Sequence, residues 1–446
     1  MSYFNKIFLV LLFGVPMLRL FYHIFFTIAA FLSAPYWLIR GLFKPGTLSN
    51  LKARFQGSGK IFPKKPETLR VLVWALSFGE VLSARVVIEK LLKRGVDVIL
   101  GASTRTGLAL ARQNYPQLTI VPTPLDLKFS INRFLDSINP DHVILVETDI
   151  WPQFLWELEA RKIKKSLISG RLSPRSFKNY YRFRFFWKKV FNIFDTLALQ
   201  SKLDQERFLA IGVDPTKLKV TGNIKFDEAM ENFIPEERSQ ILQETGLPPG
   251  RYLIVGSTHL GEERLICEAV QDYFSIYPDL KLVIAPRDTF RFEQVYRFLA
   301  EKYPLETLAR RSQGPLPLEE IKIFLLDTLG ELKKFYALGE LAIIGKSFPG
   351  THEGGGHNPL EPAALGIPVI TGPRIHNFMW VYETLADLGA TLIVKPEQLS
   401  AVLGDLLAHP EKSKTMGQKA QSFVKANLGA SQKTLEFIAP NLFTLS

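Results

Sequence analysis

Short apolar runs alternate with amphipathic helical stretches along this chain in two separate series, and no other feature restricts its fold so tightly. Val71–Ala75, Val96–Leu100, Leu118–Val121 and His142–Val146 read as extended, with helical patterns at Glu80–Lys93, Thr104–Asn114 and Leu127–Ser137 between them. Uninterrupted runs of this kind belong to strands covered on both faces, hence to a parallel sheet with right-handed helical crossovers. A polar stretch rich in Pro and Glu near Gly222–Gly250 breaks the pattern, and a second series follows: Tyr252–Val255, Lys281–Ala285, Ile323–Leu326, Leu341–Ile344 and Pro368–Ile370. The predicted class is α/β, with two successive Rossmann-like domains and a ligand cleft at the carboxyl ends of their strands. The expected boundaries are 1–45 for a membrane anchor, 46–225 for the first domain and 226–446 for the second.

The anchor comes from charge and hydropathy. Leu20–Ile39 is a stretch of 20 residues with no formal charge, followed at once by Arg40 and Lys44. A helix of that length is about 30 Å long, the thickness of a hydrocarbon core. Pro16 and Pro35 interrupt the apolar pattern of the N-terminal region, so a helix lying in the membrane interface is a second reading and a buried helix a third. The earlier apolar run Ile7–Leu18 lacks a small-residue cleavage site before Arg19, which argues against a signal peptide. Basic residues after the run place the bulk of the chain on the cytoplasmic side.

The net charge of +12 is concentrated. Residues 1–66 carry nine basic residues and residues 161–189 carry eleven, with no acid in either segment, so the rest of the chain is net acidic. A nucleic-acid binder with a generally basic surface is disfavoured. The second segment interleaves Arg182, Arg184, Lys188 and Lys189 with Phe, Tyr and Trp, a composition compatible with RNA, an anionic membrane surface or a bulky anionic lipid. A single Cys excludes an intramolecular disulfide.

Several motifs fall where strands end. Ser77-Phe78-Gly79-Glu80 reads either as a capping box or as a carboxylate placed to take a proton from a hydroxyl. In Glu147-Thr148-Asp149-Ile150-Trp151-Pro152 no third carboxylate or His is linked by spacing, so a substrate-orienting acid is favoured over a metal ligand. Gly222-Asn223-Ile224-Lys225-Phe226-Asp227 puts an ammonium at the crossover between domains. In the second series Pro286-Arg287, Asp327-Thr328-Leu329-Gly330-Glu331 and Gly354-Gly355-Gly356-His357-Asn358-Pro359-Leu360-Glu361 each follow a strand. Glycines permit close backbone approach to a ligand, although Asn358 as N-cap, Pro359 at N1 and Glu361 at N3 also make a sufficient helix start. No His spacing matches a metal site. No G-x-G-x-x-G follows the first strand, which disfavours a Rossmann dehydrogenase.

Taken together with Arg171-Leu172-Ser173 and Gly256-Ser257-Thr258-His259, these motifs resemble the 3-deoxy-D-manno-octulosonic acid (Kdo) transferases of lipopolysaccharide biosynthesis, over nearly the whole chain. The resemblance implies an inverting GT-B glycosyltransferase at the inner membrane that uses CMP-Kdo as donor and lipid IVA, or Kdo-lipid IVA, as acceptor, with no metal or other cofactor. It implies Glu80 as general base, Glu147 and Lys225 as transition-state stabilisers, and CMP held by Pro286, Arg287, Leu329, Gly330, Glu331, Asn358, Pro359, Leu360 and Glu361. Arg182, Arg184, Lys188 and Lys189 are the expected contacts to acceptor and anionic lipid. The chain departs from the family pattern at Asp288-Thr289-Phe290, at Leu329 in place of Met, and at Lys346 in place of Gly. The alternatives are another membrane-associated GT-B enzyme using a UDP-sugar, and a non-catalytic tethered module that binds nucleotide or carbohydrate.

Overall fold

The computed structural model describes residues 15–43, 47–56, 61–64, 66–230, 237–314, 320–350 and 354–443. Most of the run Ile7–Leu18 lies outside them, as do Lys44, Lys60 and Lys65 of the basic flank. The chain forms two compact units, residues 1–228 with 429–446 and residues 229–428.

The first unit is built on seven strands: β1 (Arg70–Trp74), β2 (Asp97–Ala102), β3 (Thr119–Pro122), β4 (His142–Val146), β5 (Lys164–Gly170), β6 (Thr196–Leu199) and β7 (Leu218–Val220). They run parallel in the order β3-β2-β1-β4-β5-β6-β7. Alternate residues of one strand enter opposite cores: Leu72 and Trp74 pack with Phe134 and Phe154, while Val71 and Val73 pack with Val87 and Ile88. Burial on both faces is why these strands carry no polar alternation. The order reverses between β1 and β4, so a crevice opens at the carboxyl ends of those two strands.

The second unit repeats the plan with β8 (Arg251–Thr258), β9 (Leu280–Pro286), β10 (Leu308–Arg310), β11 (Ile323–Leu325), β12 (Gly339–Ile344), β13 (Val369–Thr371) and β14 (Thr391–Ile393). Their order is β10-β11-β9-β8-β12-β13-β14, all parallel, with the reversal between β8 and β12.

Several expectations need correction. The helix predicted over Glu80–Lys93 is two helices, Phe78–Ser83 and Arg85–Lys93, meeting at Ala84. Strand β5 lies within the basic segment, and its Lys165 is buried against Glu159 at 2.5 Å. That part of the segment is sheet, not a solvated or lipid-facing surface. The second domain does not extend to residue 446. The helix Ala430–Phe443 returns to the first unit and buries Ala430, Leu435, Ile438 and Leu442 in the core behind β1. Asp227 secures the return by accepting the N–H groups of Gly429 (2.6 Å) and Ser431 (2.5 Å), and Thr434 donates to Thr221 at 2.8 Å.

The predicted N-terminal helix forms over Val15–Phe43, with Pro35 inside it. Among the described residues no helix is long and apolar enough to cross a membrane. One face packs on the first unit: the Tyr22 ring meets Trp156 edge-on at 5.4 Å and stacks on Phe186 at 6.3 Å. Leu20, Phe21, Ile24, Phe25, Ile28, Phe31 and Leu32 face outward.

Asp227→Ala leaves two amide donors at the start of the last helix without their carboxylate. The expected cost is about 2 kcal/mol, read as a lowered thermal midpoint and faster proteolytic trimming near residue 429.

Candidate active site

At the β1/β4 reversal the chain leaves β1 through Leu76 and Ser77 and turns into a helix. Ser77 caps it, its Oγ accepting the Glu80 N–H at 3.3 Å. The Glu80 carboxylate folds back onto the strand end, one oxygen accepting the Leu76 N–H at 2.6 Å and the other the Ser77 hydroxyl at 2.8 Å. The capping box of the sequence reading is therefore altered, since Glu80 serves the amide of Leu76. Each carboxylate oxygen keeps a lone pair available. Burial, with Glu147 and Asp149 nearby, pushes the Glu80 carboxyl up to about 7.

After β4, Glu147 takes a left-handed backbone conformation (φ 60°) and donates its N–H to Ile168 of β5 at 2.9 Å. A non-glycine residue held there signals a locally strained loop. Burial alone would raise the Glu147 carboxyl, but the Lys225 ammonium 2.5 Å away and the Arg171 guanidinium hold it below the usual carboxylate range. Two carboxylates at one strand edge are thus driven apart, one toward neutrality and one toward permanent charge.

The loop is locked from below. Thr148 Oγ1 donates to the Arg171 carbonyl at 2.6 Å and accepts the Arg171 N–H at 2.9 Å. Asp126, buried and with its carboxyl pushed up to about 6, accepts the N–H groups of Gln153 (3.1 Å) and Phe154 (2.9 Å) at the next helix and the Tyr22 hydroxyl at 2.7 Å. Arg54 donates to the Thr123 carbonyl at 3.0 Å, lies over the Trp151 ring at 5.7 Å and faces Asp149, whose carboxyl burial raises. Sequence spacing gave no sign of Tyr22, Arg54 and Asp126, because their partners lie many residues away.

Glu80, Glu147 and Lys225 share this one edge. Arg182, Arg184, Lys188 and Lys189 do not. They are exposed on the helices Pro174–Arg182 and Arg184–Phe191, with Tyr181, Phe183 and Phe185 also turned outward. Tyr180, Phe186 and Trp187 pack inward against the core, so the aromatic run is divided between two environments.

In the second unit Pro286 ends β9, and the Arg287 N–H donates to the Thr258 carbonyl at 3.0 Å. Leu329 is exposed, Gly330 is left-handed (φ 85°), and Glu331 is paired with Arg311 at 2.9 Å. The helix after the glycine run is only Leu360–Ala364, and its N-cap is Pro359 in place of the expected Asn358. Asn358 sits one residue earlier, its Oδ1 accepting the Leu360 N–H at 3.1 Å. Glu361, in the first turn, lies close enough to the buried Tyr336 to raise its hydroxyl pKa further. Gly354, Gly355 and Gly356 all have positive φ, and a Cβ at each would meet Arg374, Asn377 or Tyr382. The loop's own packing already requires these glycines. Loops at Pro286–Arg287, Leu329–Glu331 and Asn358–Glu361 thus follow β9, β11 and β12, three strands of one sheet. His259 and His357, distant in sequence, come together with their Nε2 atoms 3.0 Å apart.

The 3-deoxy-D-manno-octulosonic-acid transferase family model matches residues 49–228. The 3-deoxy-D-manno-octulosonic acid transferase of Haemophilus influenzae is 30% identical over 387 residues, covering 84% of this chain and 88% of its own. That of Bordetella pertussis is 30% identical over 399 residues, covering 86% and 90%. The crystal structure of a UDP-GlcNAc 2-epimerase from Neisseria meningitidis bound to UDP-GlcNAc shares the fold, with a TM-score of 0.57 at 14% identity over 84% of this chain and all of that one. The chain belongs to the 3-deoxy-D-manno-octulosonic acid transferase family and is a glycosyltransferase that transfers Kdo.

Proposed function

We propose that the protein has a GT-B architecture and transfers Kdo, with inversion, from CMP-Kdo to a hydroxyl of lipid IVA or Kdo-lipid IVA at the cytoplasmic face of the inner membrane. The observation that carries the reading is the pairing, at one strand edge, of a carboxyl near neutrality with a charged carboxylate–ammonium pair. Glu80 takes the acceptor's hydroxyl proton as that oxygen bonds to the anomeric carbon. The bond from that carbon to the donor phosphate breaks, and its electron pair leaves with CMP. Glu147 holds Lys225 in place, and the ammonium offsets negative charge developing on the leaving group. CMP is held in the second unit by Pro286, Arg287, Leu329, Gly330, Glu331 and Asn358–Glu361. The scheme uses no metal, because the donor phosphodiester is already activated.

The membrane assignment rests on the outward apolar face of the helix Val15–Phe43, joined through the Tyr22–Phe186 stack to the exposed basic and aromatic helices. A contiguous apolar face rimmed by cations suits a helix lying in an anionic bilayer surface.

Three outcomes follow. First, kcat/KM with CMP-Kdo rises with pH and levels off above about 7, as Glu80 ionises. Glu80→Gln lowers kcat by about 10²-fold or more while leaving CMP affinity in calorimetry unchanged. Full activity of that variant would remove the base assignment, and transfer from UDP-sugars with none from CMP-Kdo would remove the donor. Second, Glu80 is raised in the folded state, so the unfolded chain ionises first and stability falls as pH climbs from about 4.5 to about 7. Glu80→Gln should therefore be more stable than wild type at pH 8, by on the order of 2 kcal/mol, measured by denaturant titration. Third, replacing Arg182, Arg184, Lys188 and Lys189 by Gln should weaken sedimentation with phosphatidylglycerol vesicles by about tenfold or more, without changing CMP binding.

A further inference from the structure

The β8/β12 reversal holds a carboxylate for which the nucleotide-binding loops give no account. Glu262, 1% exposed, lies in the first turn of the helix Glu262–Val270. Its Oε2 accepts the N–H groups of His259 (2.9 Å) and Lys346 (2.8 Å), and its Oε1 those of Ser347 (2.9 Å) and Phe348 (3.0 Å). The four acceptor positions of one carboxylate are thus filled by backbone amides, one from the loop after β8 and three from the loop after β12.

The two loops need holding. Ser257 and Lys346 are left-handed (φ 58° and 60°), a strained conformation for a residue other than glycine. Lys346 stands where the family pattern has glycine. A Cβ on Gly345 would come within 2.4 Å of the Ser257 carbonyl oxygen, so the backbones touch there. Gly345 donates to Gly256 at 2.8 Å, His357 to Gly345 at 3.2 Å and Gly356 to Lys346 at 2.8 Å. The Tyr382 hydroxyl fixes the His357 carbonyl at 2.8 Å. The product is a stacked pair of imidazoles, His259 and His357, with centroids 5.2 Å apart and planes 15° apart.

We propose that Glu262 is a positioning residue of the sugar-nucleotide site: it locks the end of β8 at 256–259 to the loop 345–348 and so sets the His259–His357 pair that receives the donor's anionic phosphodiester. The inference rests on the donor reading above. Its physical support is the place of the ring pair at the strand-order reversal, where open α/β sheets bind ligands, with His357 directly preceding Asn358. Imidazole N–H groups suit phosphate oxygens.

The test uses the full chain and CMP, with CMP-Kdo for kinetics. In Glu262→Gln an amide NH2 faces backbone N–H donors, so the loops part. Expected are CMP binding at least tenfold weaker, a donor KM raised by a similar factor, and a kcat and acceptor KM changed less than threefold. His259→Phe keeps an aromatic ring but loses the Nε2 contact, and should weaken CMP comparably. It carries the same expectation should Glu262→Gln fail to fold. In the double variant the second change should add less than twofold, since both act through the ring pair. CMP bound by the variants within twofold of wild type overturns this inference alone. Wild-type protein that binds no CMP overturns the donor reading and this inference with it.

Discussion

A parallel strand cannot be reached from its neighbour by a hairpin, so successive strands within each sheet are joined by crossovers over one face. All strand ends of one kind therefore point to one edge, and the loops leaving them are chemically free because the crossover helices supply the burial. The reversal of strand order opens one crevice per sheet, and each is occupied by the loops that carry ionisable groups. Glu80 and Glu147 follow β1 and β4. His259 follows β8, and Lys346 and His357 follow β12. The chemistry is not spread over the units; topology confines it to two edges.

Both edges are stiffened by carboxylates that serve the backbone, not a ligand. Asp126 holds the helix after the Glu147 loop, and Glu262 joins two loops. Left-handed non-glycine residues sit beside each: Glu147 in the first unit, Ser257 and Lys346 in the second. Strain of this kind persists only where surrounding hydrogen bonds over-determine the loop. Glu80 and Glu147 show the complementary use of burial. The same low-dielectric edge raises one carboxyl and, once an ammonium is supplied at 2.5 Å, leaves the other charged. On either side of Lys225, Thr221 and Asp227 are tied to the final helix.

Legibility in the sequence followed burial and range. Strands buried on both faces, such as β1 and β4, were read directly because nothing polar interrupts them. Strand β5 is hidden by Lys164 and Lys165, since the buried ammonium of Lys165 is tolerated through Glu159 and Asp195, partners no periodicity reveals. Of the three-residue strands, β11 and β13 are buried throughout and legible, whereas β7, β10 and β14 each carry half-buried or exposed residues that break the apolar run. The catalytic candidates were visible as motifs at strand ends, but Glu262 looked like an ordinary first-turn acid. Its meaning depends on amides 84 to 86 residues away. The return of the final helix was likewise invisible, because its apolar face fits either unit by composition.

The N-terminal helix shows how the sites connect to the charge pattern of the chain. Its inward face carries Tyr22, whose hydroxyl donates to the same Asp126 that accepts from Gln153 and Phe154. Arg19 lies over the Trp156 ring in the helix those amides begin. A short path of hydrogen bonds and ring contacts thus runs from the outward apolar face to the segment bearing Glu147. Asp126 is nearly removed from water, which pushes its carboxyl up; ionised, it depends on those three donors. Displacing the helix would take one of them away and loosen the amides that define where the Glu147 loop stops. On the proposed reading, the surface that meets the bilayer and the edge that carries out transfer are parts of one packed body, and the exposed cations Arg182, Arg184, Lys188 and Lys189 belong to the first.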